Sequence, residues 1–193
     1  MPRLILASAS PRRRELLARL RADFTVTPSD VDETLDPGPL PEATAGLALR
    51  KARAVAAGLR EGVVLGADTL VVIDGEALGK PRDGQDAAAM LRRLRGRWHE
   101  VITAVAAVDA ATGREAAEAV ITRVQMRAYT DAEIAAYVAT AEPLDKAGAY
   151  AVQERGGALV AGIEGSYSNV VGLPVDETRR LLEAFGVLTS ERA

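Results

Sequence analysis

The 193-residue chain has no cysteine. This excludes disulfide bonds, thiolate metal sites and cysteine nucleophiles, and it fits an expected cytoplasmic location. Aromatic residues are scarce, with four Tyr, two Phe and one Trp, and the formal net charge is −3 at pH 7. Proteins that bind nucleic-acid strands present a basic face or stacking aromatics, so no nucleic-acid partner is expected. No apolar run approaches the ~20 residues that span a bilayer, so no membrane partner is expected either. The chain begins with an early Arg3 but no apolar stretch of signal-peptide length, and it reads as mature sequence. The lone histidine, His99, stands beside the lone tryptophan and is assigned no role. There is no Ser-His-Asp set, HExxH or Walker A pattern, and no GxGxxG opens a helix. Internal repeats, low-complexity tracts and linkers are also missing.

What remains is ordinary globular composition, 48% hydrophobic and 26% charged. The length predicts one domain, residues 1–193, that removes roughly 70% of its unfolded surface from water. Basic residues are scattered one or two at a time among loops, which suits a small anionic ligand better than a polymer.

The periodicities predict an α/β domain with a mixed central sheet flanked by helices. Leu4–Ala7 reads as a strand, followed by a helix capped by Ser10 with Pro11 at its first position. Phe24–Thr27 is a short strand, and "LDPGPLPEA" (35–43) is a surface loop before a helix that begins near Pro41. Leu47, Lys51, Val55 and Leu59 share one row of that helix. "VVLGADTLVVI" (63–73) is a long buried strand, with Gly66 suggesting a local break, and Asp74-Gly75 is a hairpin turn. Asp83 caps a helix that presents Ala87, Met90, Leu91 and Leu94 and ends at Gly96. "VITAVAAV" (101–108) is an interior strand, and "VITRVQMR" (120–127) has a solvated face. Thr130 and Glu133 form a capping box before Ile134, Tyr137 and Val138. Short strands follow at Ala151–Gln153 and Leu159–Ile163, and Pro174 starts a last helix with Leu181, Leu182 and Phe185 inward.

Four features sit badly in a mere scaffold. Arg12, Arg13 and Arg14 occupy the first turn of a helix, where the dipole disfavours cations by a few tenths of a kcal/mol each. An anion bound there would turn that repulsion into attraction. Asp68 lies in the middle of an eleven-residue run that carries no other charge; burying an unpaired carboxylate costs several kcal/mol, so it must be paired, metal-bound or facing a cleft. Lys51 interrupts an apolar helix row, where a lysine ordinarily snorkels to the edge. "IEGSYSNVVGLP" (163–174) concentrates Gly, Ser and Asn where a strand hands over to a helix, and a tight turn with a capped helix accounts for it. Taken together, Arg12, Arg13, Lys51, Lys80 and Lys146 against Glu33 and Asp68 form an inventory suited to a polyphosphate and its divalent metal.

The blocks "LASASPRRRELL", "GADTLVVIDGEALGKPRD", "EPLDKAGAYAVQ" and "IEGSYSNVVGLP" resemble, in order and spacing, the signatures of the Maf family of nucleoside triphosphate pyrophosphatases. The resemblance spans nearly the whole chain. It implies a fold like that of inosine triphosphate pyrophosphatase, with two lobes around a nucleotide cleft, a divalent cation (Mg²⁺ or Mn²⁺) and often a homodimer. It implies Asp68 as catalytic proton acceptor, with Asp68 and Glu33 holding the metal. Ser8, Ser10, Arg13, Lys51, Lys80 and Lys146 are the implied phosphate-binding residues, and Arg12, Thr69 and Gln153 the residues of base choice. The sequence is similar to the dTTP/UTP branch; the 7-methylguanosine branch typically carries Glu near Gln153 and another residue after the aspartate. A cationic methylated guanine pairs with a carboxylate, whereas one amide satisfies the alternating acceptor and N–H of uracil or thymine. Ala141, Ala151 and Glu154 depart from the family pattern by standing where relatives usually have Gly.

The implied reaction is hydrolysis of the α–β phosphoanhydride to monophosphate and pyrophosphate, a house-cleaning of non-standard or excess nucleotides. A 7-methyl-GTP pyrophosphatase and a non-catalytic nucleotide-binding regulator of septum formation are the alternatives.

Overall fold

A computed structural model of the chain describes residues 1–21 and 23–189. The strands are β1 (Leu4–Leu6), β2 (Thr25–Val26), β3 (Val63–Ile73), β4 (Glu76–Leu78), β5 (Trp98–Asp109), β6 (Glu115–Met126) and β7 (Val160–Glu164). The helices are α1 (Pro11–Leu20), α2 (Leu40–Ala56), α3 (Gly84–Leu94), α4 (Asp131–Val138), α5 (Tyr167–Val171) and α6 (Val175–Ala184). The seven strands form a mixed sheet in the order β2-β1-β3-β5-β6-β7, with β4 paired to β3. β1 lies parallel to β2 and β3, while β4 on β3 and β7 on β6 are antiparallel. The predicted mixed α/β architecture is thus observed.

The chain divides into two compact units. The first comprises Met1–Asp68, Thr103–Val120 and Gly172–Ala193. Here Ile5, Ala7 and Val64 pack with Ala52, Val55 and Ala56 of α2, and α1 packs on α6. The second comprises Thr69–Ile102 and Ile121–Val171. Its core gathers Val71, Leu91, Leu94, Met126, Tyr129 and Ile134.

Local chemistry sets most element boundaries where the sequence predicts them. The Ser10 hydroxyl accepts from Arg13 N at 3.4 Å, and Asp83 accepts from Asp86 N at 2.8 Å. Both bonds of the Thr130–Glu133 capping box are made. Asp74 and Gly75 take φ of 55° and 77°, the left-handed pair that a tight two-residue hairpin requires.

Four expectations are corrected. Gly66 does not break β3, which runs unbroken through it. A Cβ there would lie 2.3 Å from the Ala48 carbonyl oxygen and 3.0 Å from Ala52 N. The glycine therefore admits the backbone of α2 close to the strand. Leu59 falls beyond the end of α2 at Ala56. Ala151–Gln153 is a turn rather than a strand: the chain folds back on itself, and a Cβ on Gly157 would meet the Val152 carbonyl oxygen at 2.4 Å. β5 begins at Trp98 and β6 at Glu115, both earlier than predicted; in β6, Glu115–Glu118 is exposed throughout and shows no alternation to read.

Candidate active site

Strand geometry places Gly66 and Asp68 on the same face of β3, because side chains alternate with a period of two. That face meets α2, and the close approach admitted by Gly66 brings Lys51 to Asp68. Lys51 Nζ donates to Asp68 Oδ1 at 2.8 Å, and Glu33 Oε1 lies 2.7 Å from the same nitrogen. Lys51 and Asp68 are buried, at 6% and 8% exposure, so the lysine does not snorkel to solvent. Two carboxylates thus converge on one buried ammonium. Among the described residues, no group of three or more acidic or histidine side chains could hold a metal ion by itself.

Glu33 arrives on the stretch 27–39, which contains neither helix nor strand. Asp32 Oδ1 accepts from Thr34 N at 2.9 Å and Thr34 Oγ1 at 2.7 Å, closing a local turn around Glu33. The Thr34 hydroxyl, followed by its backbone N–H, holds the Asp32 carboxyl below its ordinary range.

The three arginines of α1 have different fates. Arg14 is exposed, Arg12 is half-buried, and Arg13 turns back under the helix. Arg13 Nε donates to the Gly172 carbonyl at 2.8 Å and Nη1 to Ser8 Oγ at 3.2 Å, while Ser8 Oγ also accepts from Ser10 N at 3.3 Å. Desolvation pushes the Arg13 guanidinium below its usual pKa; the charge of Asp68 opposes this, Arg12 adds to it and Glu33 opposes it. A cation desolvated in this way gains from an arriving anion. Ser8, Ser10, Arg13, Glu33, Lys51 and Asp68 are therefore brought together within the first unit.

Thr69, Lys80, Lys146 and Gln153 belong to the second unit. Thr69 is half-buried, directly after Asp68 on β3; Lys80 and Gln153 are exposed in loops. Lys146 is buried at 6% exposure, donating to the Glu142 carbonyl at 2.9 Å and to Asp145 Oδ1 at 2.8 Å, with Glu154 Oε1 at 3.7 Å. Its loop consists of short 3-10 turns at Glu142–Asp145, Ala147–Ala149 and Arg155–Leu159. Gly148 N donates to the Gly79 carbonyl at 3.1 Å, which ties the Lys146 and Lys80 loops together.

Glu142 and Asp36 escape the sequence reading. Glu142 Oε1 accepts from Tyr137 Oη at 2.9 Å and Gly156 N at 3.1 Å, closing the ends of the Lys146 loop. No spacing rule links Glu142 to Gly156, 14 residues on. Asp36, paired with Arg50, lies within the stretch 35–43, which reads only as a surface loop before a helix.

Residues 3–185 match the family described as Maf-like protein. The chain belongs to the Maf family. Among Maf relatives, it is similar to a protein of Moorella thermoacetica named dTTP/UTP pyrophosphatase, 58% identical over 191 residues and 97% of each chain. A dTTP/UTP pyrophosphatase of Myxococcus xanthus is 54% identical over 98% of this chain and 96% of its own. One of Pelotomaculum thermopropionicum is 49% identical over 96% of this chain and 98% of its own. Among solved structures, the Maf chain is similar to the Staphylococcus aureus Ham1 protein, with a TM-score of 0.47 and 16% identity, covering 65% of this chain and 72% of that one. No helix among the described residues is long and apolar enough to cross a membrane.

Proposed function

We propose that this Maf protein hydrolyses dTTP and UTP at the α–β phosphoanhydride, releasing the nucleoside monophosphate and pyrophosphate. The observation that carries the reading is the convergence of Glu33 and Asp68 on the buried Lys51 ammonium beside Arg13. It stands in a chain matched over nearly its whole length by relatives named for that activity.

Asp68 accepts the proton of the attacking water. Lys51 bonds its Oδ1 at 2.8 Å and so fixes how the carboxylate is presented. Ser8, Ser10, Arg13 and Lys51 bind phosphate, with the N-terminal amides of α1 adding partial positive charge. Negative charge that builds on the leaving pyrophosphate meets donors already in position, a contribution of several kcal/mol in comparable sites. Lys80 and Lys146 are read as phosphate ligands, and Arg12, Thr69 and Gln153 as the residues of base choice; the Gln153 amide can both donate and accept toward a neutral pyrimidine edge.

Glu33 and Asp68 are hard oxygen donors that both reach the Lys51 ammonium, which an arriving cation would displace toward the phosphate. Two such donors fit a Mg²⁺ or Mn²⁺ ion that completes its shell with water and phosphate oxygens. Bound there, the ion would polarise the phosphate and acidify a coordinated water.

The test is product analysis with dTTP, UTP, CTP, dATP, GTP and 7-methyl-GTP. Monophosphate and pyrophosphate from dTTP and UTP are expected, and Asp68→Asn is expected to lower turnover by about 10²–10⁴-fold with folding retained. Orthophosphate with a diphosphate would overturn the assigned bond, and faster turnover of 7-methyl-GTP would overturn the base preference.

A further inference from the structure

We propose that Arg50 is a positioning residue that clamps the Glu33 loop onto α2 and so keeps the Glu33 carboxylate beside Lys51 and Asp68. The proposal rests on the reading of Glu33 as a metal-holding carboxylate.

Thirteen residues, 27–39, run between β2 and α2 without helix or strand. A stretch of that length inside a compact unit has few interactions of its own to define its path. The Glu33 side chain is 61% exposed, so packing does little to hold it. The guanidinium of Arg50 supplies what packing does not. Its Nη1 bonds Asp36 Oδ2 at 2.5 Å, and its Nη2 donates to the Thr34 carbonyl. Thr34 directly follows Glu33, so the clamp acts one peptide away from the residue it positions. Lys51, the next residue on α2, points about 100° around the helix from Arg50 and takes Glu33 itself. The helix therefore holds the loop twice, through the backbone at Thr34 and through the carboxylate at Glu33. The planar fork of arginine suits this double contact, whereas a lysine offers a single point charge.

An exposed ion pair contributes little to global stability, so the effect of losing Arg50 is local. Arg50→Ala is expected to keep its melting temperature within about 2 °C of the parent. Amide hydrogen exchange at residues 33–36 is expected to accelerate in the metal-free protein. Mn²⁺ affinity, read by electron paramagnetic resonance on protein and metal alone, and the metal concentration for half-maximal turnover should each weaken about tenfold, with kcat at saturating metal largely kept. Asp36→Asn should shift both in the same direction, and Arg50→Lys should fall between parent and Arg50→Ala. In a Glu33→Gln background, Arg50→Ala should add no further loss.

Unchanged exchange and Mn²⁺ affinity in Arg50→Ala would overturn the clamp. So would losses that multiply in the double variant. A Glu33→Gln protein with the parent's metal dependence would instead overturn the reading of Glu33, and the proposal with it.

Discussion

Lys51 is the residue on which the first unit's charges depend. Its side chain is 8% exposed and that of Asp68 is 11% exposed, and without the ammonium the aspartate is left buried facing Glu33. Breaking a buried pair costs more than the pair contributes, because a charge is stranded. Lys51→Met is expected to destabilise the protein by about 3 kcal/mol, which at this length lowers the melting temperature by roughly 6–12 °C. Adding Asp68→Asn should recover part of that loss. Millimolar Mn²⁺ should raise the melting temperature of Lys51→Met more than that of the parent, since it would meet two carboxylates with no competing ammonium. Thermal unfolding checks all three, and parental melting in Lys51→Met would show that the pair is energetically idle. Asp68 and Lys51 were legible in the sequence because each breaks an apolar pattern. Arg50 and Glu142 were not, since a surface arginine and a loop glutamate have no pattern to break, and each has a partner 14 residues away, Asp36 and Gly156.

The pairing of α2 with β3 is the element on which that chemistry rests. The Ala48 carbonyl and the Ala52 N–H and Cβ face Gly66, so the helix lies nearly backbone to backbone on the strand. Gly66→Ala places a methyl group 2.3 Å from the Ala48 carbonyl oxygen, a contact that no side-chain rotation relieves. Overpacking of this kind is expected to cost about 3 kcal/mol, or roughly 6–12 °C in melting temperature. As the helix is pushed away, Lys51 moves off Asp68, so activity should fall more steeply than the folded fraction. Calorimetry alongside initial rates tests this, and an unshifted midpoint would show that the helix can retreat without cost. Elements with caps or strong periodicity were readable for the same reason that they are stable: Ser10, Asp83 and Thr130 satisfy helix N–H groups locally. The turn at Ala151–Gln153 was not, because its β-like composition is overridden by the fold-back of the chain five residues on, where the absence of a Cβ at Gly156 and Gly157 leaves room for the backbone of Ala151 and Val152.

For the whole molecule, the response to acid separates into two windows. His99 is 3% exposed; its Nε2 lies 2.7 Å from Tyr150 Oη, and its Nδ1 has no hydrogen-bond partner among the described residues. An imidazolium would need an acceptor at both nitrogens, and burial pushes the His99 pKa down from 6.5 to about 4. Between those values the unfolded chain takes up a proton that the folded chain refuses. Stability is then full above pH 6.5 and declines as pH falls toward 4, by about 3 kcal/mol in all. The surface carboxylates respond lower. Asp74 is held below its ordinary range by Arg97, and Asp131 by Arg92, so their contribution persists above the unfolded carboxylate pKa and is lost only as pH falls below about 4. Glu115 and Glu133, held low by Arg53 and by the Thr130 N–H, begin to respond below about pH 5, so the interval from 6.5 to about 5 belongs to His99. His99→Gln keeps a polar partner for Tyr150 without the titration. It should flatten the stability profile over that interval and leave the fall below pH 4 in place. Urea unfolding at pH 7.5, 6, 5 and 4 measures the slope. A parental profile already flat from pH 7.5 to 5 would mean that the buried imidazole finds a proton acceptor on folding, and the orphaned Nδ1 would lose its significance.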